Sequence, residues 1–110
     1  MRVFFHPEFS GDFRRFENRY SEVSAGLGTR FRSEVLQVIE NIKSSPESAG
    51  HFLTTTTARS ELRRSNLRSF PFFVLYGFTG EDLFFGSIIP SRSDPLTWLS
   101  RFPDQDKEQP

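Results

Sequence analysis

The sequence predicts an α+β fold: an N-terminal strand, a helical hairpin, then a three-stranded antiparallel meander forming a twisted sheet, and a short C-terminal helix. Three observations lead there. Apolar residues first recur at spacings of three and four, as Phe9, Phe13, Phe16, Tyr20 and Val23, which marks one face of a helix. The same periodicity returns at Leu27, Phe31, Val35, Val38 and Ile42. Beyond residue 60 the pattern changes to short apolar runs bounded by turn residues, the mark of strands.

Arg2 to Phe5 is short and apolar and reads as the first strand, with Pro7 expected at the first position of the helix that follows. Asp12, Arg14, Arg15, Glu17, Asn18, Arg19 and Glu22 fill the polar side of that helix. Gly26 is expected to end it, and "GLGTRF" (Gly26 to Phe31) reads as a tight connector in which Thr29 caps the second helix. Leu36 and Ile39 widen the second apolar stripe, and Ser44 to Pro46 stop it. So short a link makes an antiparallel helical hairpin. Glu47 to Ser60 is polar and reads as a loop with an extended piece, because it holds Thr54 to Thr57.

Three strands are expected at Leu62 to Arg68, Phe70 to Phe78 and Leu83 to Ile89, the last two joined by a hairpin turn in "FTGEDL". Phe72-Phe73-Val74-Leu75-Tyr76 is apolar at every position, so that strand should be central and covered on both faces. After Pro90, Asp94 as cap and Pro95 at the first position begin the expected terminal helix. "PDQDKEQP" has nothing to bury and reads as a disordered tail. The chain is thus one domain over residues 1–102 with a tail at 103–110.

Bulk composition narrows the chemistry. Of the 110 residues, Lys and Arg number 14 and Asp and Glu 14, so no net field draws the chain onto nucleic acid or an anionic membrane. Without cysteine there is no disulfide framework, thiolate nucleophile or zinc–cysteine site. His6 and His51 lie far apart and no carboxylates cluster at ligand spacing, so neither metal nor cofactor is expected. No signal peptide and no run of about 20 apolar residues is seen, and a cytoplasmic location is the expectation. The 14 phenylalanines exceed what one hairpin–sheet interface needs, which points to an apolar groove left open for a partner helix or added strand.

Three stretches, in order, carry a family resemblance. "GLGTRF" resembles the interhelical Gly-Leu-Gly-x-x-Phe of the ParE/RelE toxin superfamily, which includes plasmid-stabilisation proteins. "LRRSNLRSFPFFVLY" is similar to that family's Leu-Arg-Arg strand and following Phe-Pro-aromatic strand. "SIIPSRSDPLTW" resembles its closing pattern of aliphatic strand, arginine, Asp-Pro and tryptophan. The resemblance spans roughly residues 1 to 102. It implies the toxin of a type II toxin–antitoxin module, wrapped and silenced by a cognate antitoxin. ParE-like members inhibit DNA gyrase, whereas RelE-like members cut messenger RNA on the ribosome.

Residue chemistry bears on that choice. Cutting RNA through its 2′-hydroxyl needs a base, an acid and cations on the phosphate. Arg64, Arg68 and Arg92 offer cations and Tyr76 an acid–base group. His6, at the start of a helix, reads as a structural cap, and His51 as a loop residue. Nuclease-like relatives place a histidine or tyrosine after the last strand, where this chain has Pro90 and Ser91. The ParE-like, non-enzymatic branch is therefore the expectation, with the ribosome-dependent nuclease and a non-toxic partner-binding orphan as alternatives. Arg63, Arg64, Arg68 and Arg92 read as antitoxin-binding residues, because guanidinium forks suit carboxylates; a solvated strand face and a nucleic-acid contact are the other two readings. Trp98 reads as closing the core.

Overall fold

The computed structural model describes residues 1–52 and 61–93. Seven elements follow in chain order: β1 (Arg2–Phe5), α1 (Phe9–Val23), α2 (Ala25–Ser44), β2 (His51–Phe52), β3 (Glu61–Asn66), β4 (Phe72–Phe78) and β5 (Asp82–Pro90). They form an α+β domain in which the two helices lie on a five-stranded sheet of order β1-β5-β4-β3-β2. The polar loop contains the two-residue β2, paired antiparallel to β3, while Thr54 to Thr57, which carried the expected extended piece, lie outside the described residues. Asp94, Pro95 and Trp98, and with them the expected terminal helix and tail, lie outside the described residues.

The sheet is mixed. β2 to β5 form an antiparallel meander, but β1 runs parallel to β5, Val3 opposite Leu83 and Phe5 opposite Phe85. A parallel neighbour demands a crossover, and the helical hairpin supplies the first part of it. β4 is buried at all seven positions, as its unbroken apolar run predicts. Between Leu75 and Tyr76 the β4–β5 register slips, Leu75 facing Ser87 and Tyr76 facing Phe85. This bulge at Gly86 shifts the phase of β5, so that Phe85 and Ile88, three residues apart, both reach the helix-side core. At the β4–β5 turn Gly80 has φ +98°, a conformation that side chains oppose.

Two helix boundaries differ from expectation. Pro7 precedes the helix, Glu8 is its N-cap, and His6 Nδ1 accepts the Glu8 amide at 3.1 Å. The imidazole therefore does cap the approach to α1. The hairpin link is Ser24 alone, at φ −162°, ψ 147°, and its hydroxyl accepts the Leu27 amide at 3.1 Å. Gly26, Gly28 and Thr29 consequently lie inside α2, and Ser24 takes the capping role expected of Thr29. A serine oxygen serves the orphan N–H groups of a first helical turn, so one extended residue turns the chain.

The core between helices and sheet is aromatic. The Phe31 ring meets Tyr20 at 5.3 Å, Phe70 at 5.3 Å and Phe72 at 5.4 Å, and Phe16 meets Phe72 at 4.6 Å. Such pairs contribute about 0.5–1.5 kcal/mol each beyond their area. A polar link joins helix and sheet here: Ser87, fully buried, donates its hydroxyl to the buried Asp12 carboxylate at 2.8 Å, fixing α1 on β5.

A Cβ on Gly28 would lie 1.9 Å from Ser21 Oγ of α1 and 3.1 Å from its Cα, whereas one on Gly26 meets nothing within 4 Å. Gly26→Ala should therefore stabilise by up to about 1 kcal/mol through helix propensity. Gly28→Ala should lose that gain and destabilise by about 1–2 kcal/mol through overpacking. Urea titration of the two variants checks the opposite signs.

Candidate partner-binding surface

The four arginines singled out in the sequence do not form one cluster. Strand alternation places Arg63 and Arg64 on opposite faces of β3. Arg63 turns to the helix side, where it pairs with Glu61 through Nε and donates from Nη1 to the Gly50 carbonyl at 2.9 Å. Arg64 lies on the other face, its guanidinium 3.9 Å from the Phe73 ring centroid and its Nη2 donating to Asn66 at 3.0 Å. β3 ends at Asn66, so alternation does not carry on to Arg68, and Arg64 and Arg68 share no face.

Arg68 stands on the β3–β4 turn, which α2 holds in place. Glu34 Oε1 accepts the amides of Arg68 at 3.1 Å and Ser69 at 2.9 Å. Burial works to raise the Glu34 pKa, but these amides and the Arg68 charge outweigh it and hold the carboxyl below its ordinary value. Glu34, Gln37, Val38, Asn41, Ser65 and Arg68 line a cleft of 220 Å³ there. Arg92 follows β5 at the same end of the sheet, where the Ser91 amide bonds to the Pro71 carbonyl at 2.9 Å. Arg68 and Arg92 are both exposed.

Tyr76, the acid–base group of the nuclease reading, is fully buried on the helix side of the sheet. Its hydroxyl donates to the Pro46 carbonyl at 2.8 Å, and a Cβ on Gly50 would lie 2.7 Å from that oxygen. Burial pushes its pKa up to about 12, with Glu61 adding to the rise and Arg63 opposing it. The phenol thus lies on the opposite face of the sheet from Arg64. His51 lies in β2, opposite Arg64. Among the described residues no three of His, Asp and Glu gather as metal ligands, and no helix is long and apolar enough to cross a membrane.

A second surface was not singled out residue by residue in the sequence, although the surplus of phenylalanines signalled it. β1 is the edge of the sheet, and its outer edge pairs with nothing among the described residues. Val3, Phe4 and Phe5 are 37%, 41% and 45% exposed there, unusual for a bare apolar edge strand. Beside it opens a groove of 550 Å³ floored by Phe5, Phe9, Phe13, Leu36 and Ile39 and rimmed by Glu40 and Lys43. A strand edge continuing into an apolar groove fits an extended segment joined to an amphipathic helix.

Tyr76 provides a pH test of this packing. Its pKa rises from 10.0 in the unfolded chain to about 12 in the fold, so the proton it keeps favours folding. That contribution is complete below pH 10 and is lost as pH rises toward 12. The melting temperature of Tyr76→Phe should accordingly fall less steeply over that interval than that of the parent chain; equal slopes would place the phenol in contact with water.

No family model and no curated protein matches the sequence. Among solved structures, the chain is similar to one from a chromosomal ParDE TA system of P. aeruginosa, with TM-score 0.58, 15% identity, 82% of this chain covered and 95% of that one. At that identity the likeness is one of fold, and it covers nearly all of the solved chain.

Proposed function

We propose that this chain is the toxin of a type II toxin–antitoxin module, bound by a cognate antitoxin and acting as ParE-like toxins do, on DNA gyrase. The observation that carries the antitoxin reading is the exposed apolar edge of β1 running into the groove beside α2. Such surface is costly to leave in water and marks a site that a partner covers. The fold likeness to a chain of a ParDE TA system supports the same reading. The gyrase branch is favoured over the ribosome-dependent nuclease because Tyr76, the available acid–base group, is buried with its hydroxyl bonded to Pro46.

The arginines divide accordingly. Arg63 serves the fold, through Glu61 and Gly50. Arg68 and Arg92, exposed at one end of the sheet, are the antitoxin contacts, while Arg64 lies apart from them over Phe73 on the face away from the helices. Truncating one partner of a buried interfacial charge pair costs about 2–5 kcal/mol, so Arg68→Ala should weaken binding of an antitoxin encoded beside this chain by at least about tenfold. The melting temperature of the free chain should stay unchanged, because it is the Arg68 amide that bonds Glu34. Arg63→Ala should instead lower it. Calorimetric titration together with thermal melts separates the two.

Toxicity is tested by induction in a bacterial host. Growth arrest with filamentation, relief by the antitoxin and inhibition of gyrase supercoiling by purified chain are expected. Cleavage within translated codons by primer extension would transfer the chain to the nuclease branch. Normal growth with soluble chain present would favour the non-toxic partner-binding alternative.

A further inference from the structure

The apolar groove between the helices does not end at Phe13. A further cleft of 230 Å³ shares Ser10 and Phe13 with it and continues toward the hairpin link, lined also by Arg14, Glu17 and Arg32. Along α2 the joined depression runs from Lys43, near the end of β1, to Arg32. That distance is about 16 Å, the rise of three helical turns.

Its two ends differ in charge. Near β1, Lys43 Nζ donates to Glu40 Oε2 at 3.4 Å, so these two charges balance. At the far end Arg32 donates to Glu17 through Nη1 alone, at 3.4 and 3.5 Å, which leaves Nε and Nη2 for another acceptor. The Arg32 guanidinium lies 5.6 Å from the centroid of Phe13, so it stands directly beside the apolar floor. Arg14 is exposed and makes no hydrogen bond or ion pair among the described residues. This end therefore sets two guanidinium groups against one carboxylate. A purely apolar occupant would cover it without supplying the missing counter-charge.

We propose, on the reading that a partner occupies this groove, that the occupant is an amphipathic helix of about three turns whose last turn is acidic, and that Arg14 and Arg32 form the site that holds its carboxylates. An occupant entering from the β1 edge reaches that site after about eleven helical residues. Guanidinium forks suit such carboxylates, and the apolar floor fixes the helix face that carries them.

The probes are two synthetic amphipathic helices of three turns, alike except for a Glu pair or a Lys pair in the last turn, titrated by fluorescence anisotropy into the full-length chain. Tighter binding of the Glu peptide is expected, by at least about threefold. Arg14→Glu should reverse that preference and leave the melting temperature of the free chain unchanged. Comparing the preference between the two chains removes any difference in helicity between the peptides. Leu36→Ala, on the exposed groove floor, should weaken both peptides alike. A preference that survives Arg14→Glu would overturn the proposal; if Leu36→Ala still weakens both peptides, the groove reading stands without it. Binding of neither peptide, or binding indifferent to Leu36→Ala, would overturn the groove reading and the proposal together. A lower melting temperature for Arg14→Glu would show that the chain itself already engages Arg14, and would overturn the proposal. So would self-association that Leu36→Ala abolishes, since a second copy would then be the occupant.

Discussion

Residues Arg2 to Phe5 pair in parallel with residues 82–85, and most of the architecture is arranged around that pairing. Parallel strands cannot be joined by a tight turn. The chain leaving β1 must cross the sheet before it can build the meander that ends in β5, and α1 and α2 begin the crossing. Placing β1 beside the last strand rather than the second also makes it an edge. The bidentate contact of Arg2 with Asp82, at 2.9 and 3.1 Å, is too exposed to contribute much; the strand is held by its ladder and by Phe5 stacked on Phe85 at 4.7 Å.

Under the proposed function, this edge is where a partner would seat. A protein that only needed to be stable would blunt an edge strand with charge or proline. Here Val3, Phe4 and Phe5 remain partly open, and the groove beside them is floored by residues of both helices. Several polar groups elsewhere are engaged within the fold: Asp12 with Ser87, Arg63 with Glu61 and Gly50, Tyr76 with Pro46, Glu34 with the turn amides. These polar groups hold the fold together, while the apolar edge and groove stay open.

Much of the fold was legible because it is written in local periodicity. The aromatic stripe of α1, the unbroken β4 run and the stop at Ser44 all map onto the structure. What escaped depends on single residues or on distant partners. "GLG" looks like a connector, yet Ser24 turns the chain alone and Gly28 is needed for close helix packing. A strand was expected to run to Arg68, but β3 ends at Asn66, so the faces of Arg63 and Arg64 follow from alternation and that of Arg68 does not. The parallel β1–β5 register joins residues 80 apart, Arg2 with Asp82, and no local pattern encodes it. For the surface, the excess of phenylalanine announced an open apolar site, but only the edge position of β1 locates it.

Amide hydrogen exchange of the chain, alone and mixed with the antitoxin that the proposed function requires, tests most directly whether this edge and groove receive a partner. Edge-strand amides exchange quickly unless another strand bonds them. Strong protection of Val3 to Phe5, with slower exchange around Leu36 to Lys43, is the result that a partner seated there predicts. Tight complex formation that leaves residues 3–5 exchanging as fast as in the free chain would contradict it.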